Sequence, residues 1–191
     1  MPRSSAADAA ATARRILAVA TRAFAAHGFA DASVDDIARS ADVTRGAVYH
    51  HFASKRGLFD AVAARLQEDV AATVVAAAEA AGEDPRAQLV AGSHAFVDAI
   101  TEGEAARVLL VEAPAAMGWS QWRAQDDAAS GVHLLDALRA CGLRGQEAEA
   151  LARQLSGAMN EAALWIVEQG GGAAIRRQAH LALERLLAAV V

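Results

Sequence analysis

Leu58, Val62, Leu66, Val70 and Val74 return at every fourth position, a rhythm that lays one apolar stripe along an α-helix and that no strand can use. Leu151, Leu155, Met159, Ala162 and Ile166 repeat it with steps of four, four, three and four. Apolar residues make up 54% of the 191-residue chain, mostly as alanine, the best helix former. Runs of β-branched residues between turn signals are scarce, and three prolines are few for a chain of many turns. These features predict an all-α protein.

Capping residues divide the chain. A first helix is predicted from about Ala9 to His27, with Gly28 stopping it and residues 1–8 disordered. Ser33 caps a two-turn helix whose stripe is Val34, Ile37, Ala38 and Ala41, with Asp35 and Asp36 in its first turn. After Asp42-Val43, Thr44 caps a third helix to about His51, and Ser54 caps a long fourth one ending before Gly82. Two short helices joined by a tight turn and braced by a longer one form a helix-turn-helix. Asp84-Pro85 opens the next helix, which Gly103 closes. A short helix from Ala105 to Val111 is expected to end near Pro114, and another from Trp119 to Cys141 to be kinked or split at Gly131. Two long helices follow, about 146–169 and 172–191, parted by Gly170-Gly171-Gly172. The expected architecture has about nine helices: a three-helix helix-turn-helix domain over 1–57 and a helical bundle over 58–191.

The net charge of −5 argues against coating nucleic acid by bulk charge. Residues 1–60 nonetheless carry eight basic against six acidic side chains, and the remainder ten against seventeen. A mildly basic head on an acidic body suits a local contact with DNA. The only tyrosine and the only lysine, Tyr49 and Lys55, both lie in that head, flanking His50-His51-Phe52. Hydroxyl, guanidinium, phenol, imidazole and ammonium groups crowded into one short stretch, 44–55, suit phosphate oxygens and base edges.

Other classes are poorly supported. One cysteine, Cys141, excludes an intrachain disulfide, fits a reducing cytoplasm, and reads as a small buried residue. Arg14-Arg15 before an apolar stretch looks superficially like a twin-arginine export signal, but Arg22 and His27 interrupt that stretch. No apolar run approaches the ~20 residues needed to span a bilayer, so a soluble cytoplasmic protein with no membrane partner is expected. No P-loop or paired metal-ligand motif is present, and Ser156, Cys141 and Glu161 lack a partner that would activate them. His50 and His51, adjacent on a helix, point in different directions, which disfavours a metal site. The expectation is no enzyme, no cofactor and no metal.

Residues 12–60 resemble the DNA-binding domain of TetR-family bacterial transcriptional repressors. The resemblance runs through Ile16-Leu17, Ala23-Phe24, Gly28-Phe29, Ser33-Val34-Asp35-Asp36-Ile37-Ala38, Gly46-Ala47-Val48-Tyr49-His50-His51-Phe52 and Ser54-Lys55-Arg56-Gly57-Leu58-Phe59. It implies that Thr44 and Arg45 contact backbone and base edges in the major groove, and that Tyr49, flanked by His50 and His51, contacts phosphate. It further implies that Lys55 clamps a phosphate and that Ser33 and Val34 bring a helix N-terminus to another. Gly46 is then explained by close approach of the backbone. One departure is Asp42, where the family commonly has glycine; its charge beside phosphate weakens affinity. Val43 offers no hydroxyl there.

The same resemblance implies a double-stranded operator, a homodimer through the last two helices, and a small-molecule effector in the body. Residues expected to line an apolar effector pocket are Phe96, Met117, Trp119, Trp122, His133, Met159, Asn160 and Trp165, with His94 and Glu161 near them. The competing reading is a helical interaction module whose helix-turn-helix contacts a protein partner.

Overall fold

The computed structural model describes residues 6–191, among which there are nine helices and no strand. Of the segment expected to be disordered, residues 1–5 lie outside the described residues and 6–8 belong to the first helix. The helices are α1 (Ala6–Asp31), α2 (Val34–Ser40), α3 (Arg45–Phe52), α4 (Lys55–Ala80), α5 (Pro85–Ile100), α6 (103–117), α7 (119–140), α8 (Gly145–Glu168) and α9 (Ala173–Val190).

Short polar side chains start the helices where the sequence places them. The Ser33, Thr44 and Ser54 hydroxyls accept from the amides of Asp36, Ala47 and Gly57 at 3.3, 3.1 and 2.9 Å. Asp84 accepts from Arg86 N–H at 3.2 Å, with Pro85 in the first turn, where its missing donor costs nothing. Each such cap contributes ~1 kcal/mol. In α1 the backbone breaks at Gly28, whose φ of 76° and ψ of 170° are non-helical, and a last turn follows to Asp31.

Two boundaries differ from expectation. Helix α6 passes Pro114 and ends at Met117, because a π-helical stretch over Ala106–Glu112 widens the turn just before the proline. Pro114 thus falls in the first turn of the closing segment, Ala113–Met117, where no amide donor is needed. In α7, Gly131 does not split the helix; it ends a π-helical stretch, Asp127–Gly131, inside a continuous rod.

The N-terminal core gathers Ile16, Phe24, Ile37, Val48, Leu58 and Phe59, each no more than 1% exposed. Phe59 meets Phe24 and Phe29 nearly edge-on at 5.0 and 5.1 Å, contacts contributing about 0.5–1.5 kcal/mol each beyond area burial. Helix α4 is the shared member: it packs on α1 and α3 and, further along, on α5, α6 and α7, with α5 its largest neighbour. Helices α5, α7 and α8 complete the body core, and α9 lies on α8 and α5. Trp165 on α8 and Leu181 and Leu186 on α9 stay exposed despite being large and apolar. No helix among the described residues is long and apolar enough to cross a membrane.

Candidate nucleic-acid interface

Helix α3 is short, and only Val48 is fully inside. Ala47 and Phe52 are half-buried anchors, leaving Thr44, Arg45, Gly46 and His50 exposed and Tyr49 and His51 partly so. Four residues apart, Arg45 and Tyr49 share a face: Arg45 Nη2 donates to the Tyr49 hydroxyl at 3.2 Å, and the guanidinium lies 5.3 Å from the ring centroid. Arg45 Nη1 also pairs with Asp35 Oδ2 at 2.9 Å, bridging α3 to the first turn of α2. The Tyr49 hydrogen bond and then the Asp35 charge raise the Arg45 pKa, so its charge is permanent. This open ion pair is screened by solvent and free to exchange partners.

The other sequence-picked groups surround this pair differently. Ser33 and Thr44 use their hydroxyl oxygens as caps, which leaves each hydroxyl proton available to an acceptor outside. Val34 is 7% exposed, so its backbone amide, not its side chain, is what it can offer. Lys55 Nζ donates to the Ala30 carbonyl at 2.8 Å and sits 5.1 Å from the Phe29 ring centroid, tied to the end of α1 rather than to Arg45 or Tyr49. The His50 and His51 rings are 5.6 Å apart. Among the described residues no group of three or more His, Cys, Asp or Glu side chains is arranged to hold a metal.

The connections on either side of α3 are tight. Asp42 adopts a φ of 52°, a left-handed conformation that aspartate tolerates better than most residues. Ala53 has a φ of 61° and ψ of −40°, with Ser54 N–H donating to the Phe52 carbonyl at 2.7 Å, a strained γ-turn. That bend lets α4 start immediately beneath α3.

Asp35, Arg56 and Glu112 are functional candidates that sequence reasoning missed, because nothing local distinguishes them from solvated charges. Glu112 on α6 accepts from Phe29 N–H at 2.8 Å beside the Gly28 break, and Arg107 holds the same carboxylate at 2.8 Å. Arg56 on α4 donates to the Ala116 carbonyl and to Gln121 Oε1, the latter at 2.8 Å, while pairing with Asp60 at 2.6 Å. These contacts fasten α1 and the start of α4 to α6 and α7.

In the body, Phe96, His133 and Met159 line a common cavity of about 310 Å³ between α4, α5, α7 and α8. The other five residues expected there are elsewhere. Met117 and Trp122 are buried outside it, and Trp119 is exposed with its ring 4.9 Å from Trp122. Trp165 is more than a third exposed. Asn160 is buried and donates to Asp126 Oδ2 at 3.2 Å. Asp126 is 1% exposed and also accepts from Ser156 and Arg123; burial dominates and pushes its carboxyl above the usual range.

Comparisons with known proteins converge on this arrangement. Residues 16–62 match the family described as bacterial regulatory proteins of the tetR family, and residues 86–190 match the tetracyclin repressor-like C-terminal domain. The HTH-type transcriptional regulator SrpR of Pseudomonas putida is 49% identical over 67 residues, 35% of this chain and 32% of that protein. The chain thus spans about a third of that relative. The HTH-type transcriptional repressor Rv1474c of Mycobacterium tuberculosis is 35% identical over 130 residues, 68% of each chain. A TetR-family transcriptional regulator from Pectobacterium atrosepticum superposes with a TM-score of 0.78 at 31% identity, covering 98% of this chain and 97% of that one. With a helix-turn-helix head, a helical body and family matches to both, the chain belongs to the TetR family of DNA-binding transcriptional regulators, which are not enzymes.

Proposed function

We propose that the protein is a cytoplasmic repressor that holds a palindromic operator as a homodimer and releases it when a small, largely apolar effector enters the body cavity. The observation that carries this reading is the exposed Arg45–Tyr49 face of α3 on a head joined to the cavity through α4. In the proposed complex Arg45 exchanges Asp35 for a base edge, a bidentate guanine contact discriminating by ~1–3 kcal/mol. Thr44 contacts backbone and base edges there, and Gly46 admits the close approach. Tyr49, His50, His51, Lys55, Ser33 and the Val34 amide contact phosphates.

The dimer is proposed to form through α8 and α9, in keeping with Trp165, Leu181 and Leu186 exposed on those helices. Two-fold pairing then spaces the recognition helices by about one turn of duplex, ~34–36 Å. Release follows if a ligand between α4 and α5 favours a position of α4 that changes this spacing.

A mobility-shift titration with DNA upstream of the protein's own gene tests the reading. A dimer-sized complex is expected, weakened by Lys55→Ala and Tyr49→Phe, with the salt slope falling by ~0.9 for each phosphate no longer neutralised. Binding indifferent to both substitutions overturns it.

A further inference from the structure

The cavity has a chemical polarity of its own. Its walls are mainly apolar, with Val74, Leu89, Phe96, Leu134 and Met159 among them. At its buried end stand Ser93 and Ser130, only 4% and 7% exposed, whose hydroxyls have no hydrogen-bond partner. A buried hydroxyl without a partner costs ~1–3 kcal/mol, so these two groups are set to receive a polar atom. At the exposed end stand Glu79 and Asp136, the latter paired with Arg139 at 3.3 Å just outside the lining, and no arginine or lysine lines the cavity itself. Ser156, also lining it, donates to the buried Asp126 at 3.2 Å and accepts from Arg123 at 3.1 Å, so its hydroxyl is already engaged by that ion pair and is not open to a ligand.

An anionic ligand would face the Glu79 carboxylate with no cation in the lining to meet it, while an ammonium group would pair with Glu79 and compete with Arg139 for Asp136. We propose that the cavity selects a small apolar molecule carrying an ammonium group and discriminates against carboxylates of the same length. Glu79 and Asp136 set the sign of the charge, and Ser93 and Ser130 contact a polar atom deeper in. The volume, at the low end of the ~300–1,000 Å³ typical of ligand pockets, limits the occupant to a modest size. The proposal rests on reading this cavity as the effector site, but its test concerns binding to the free protein alone.

Calorimetric titration of the intact protein with decylammonium, decanol and decanoate provides that test. One decylammonium per chain is expected, at least tenfold tighter than decanoate, with decanol between them. Glu79→Gln combined with Asp136→Asn, both at exposed positions, should erase that ratio and leave decanol binding unchanged. Ser93→Ala with Ser130→Ala should leave decylammonium, whose one polar atom is held at the mouth, bound no more weakly, and should weaken 10-hydroxydecylammonium, whose far hydroxyl reaches the serines, by several fold. Decanoate binding as tightly as decylammonium, or no one-to-one binding by any of the three, overturns the proposal, as does a charge preference that survives the first double substitution. Binding as expected that leaves the operator complex intact overturns effector release instead and leaves this assignment standing.

Discussion

A methyl group added at Gly46 would meet nothing nearer than the Thr44 hydroxyl at 3.7 Å, whereas one at Gly57 would lie 2.2 Å from the Phe52 carbonyl. The fold therefore needs the second glycine and not the first. Gly46→Ala is expected to raise stability by about 0.5–1 kcal/mol through helix propensity while weakening operator binding; denaturant unfolding and mobility shift on the same preparation check both halves. Improved stability with undiminished binding would remove Gly46 from the interface. Ala53→Gly should also stabilise, by about 1 kcal/mol, because the γ-turn holds alanine at a φ rarely open to a side chain. In the sequence the two glycines look alike. Their difference depends on where the Phe52 carbonyl turns, and only the bend at Ala53 settles that.

Helices and caps were legible because each leaves a local mark: a stripe every three or four residues, a hydroxyl or carboxylate at the first turn. The continuity of α6 and α7 was not. Pro114 and Gly131 read as stops, and the π-helical stretches that absorb them carry no signature in composition. The contacts joining head to body were equally hidden, since Glu112 meets Phe29 across 83 positions of sequence. Glu112→Ala is expected to cost about 1–3 kcal/mol, the range for a charge-assisted hydrogen bond left unmade, and to speed amide exchange at Phe29; unchanged exchange there would show that the clasp is idle. The seam between α5 and α9 adds a pH dependence. The His94 and His180 rings stack at 4.3 Å, faced by Asp98, Glu184 and Arg176. Burial first, and then His180, push the His94 imidazole below its ordinary value, so the fold favours its neutral form. Its contribution to stability is complete above about pH 6.5, the unfolded value, and is lost as pH falls toward the folded one. Thermal midpoints should drop across that window, and His94→Gln should flatten the decline.

On the scale of the whole molecule, the tryptophans drew attention because aromatics are rare in this chain. The groups that give the cavity its polarity are instead two surface carboxylates and two ordinary serines, the latter buried by helices far apart in sequence. The proposed dimer is testable at this scale. Leu181→Glu together with Leu186→Glu, on the exposed side of α9, should leave the helical content intact and halve the mass seen in sedimentation. A mass that does not change would move the interface elsewhere. If Arg45 reads a base edge as proposed, its ion pair with Asp35 bears on fidelity. A stretch of DNA offering only phosphates must compete with a carboxylate already in place, while a guanine presenting two acceptors side by side is better matched to draw the arginine away. In the proposed complex Asp35 would act as an internal decoy, and a chain with alanine there would grip arbitrary duplex more tightly while telling its own operator apart less well.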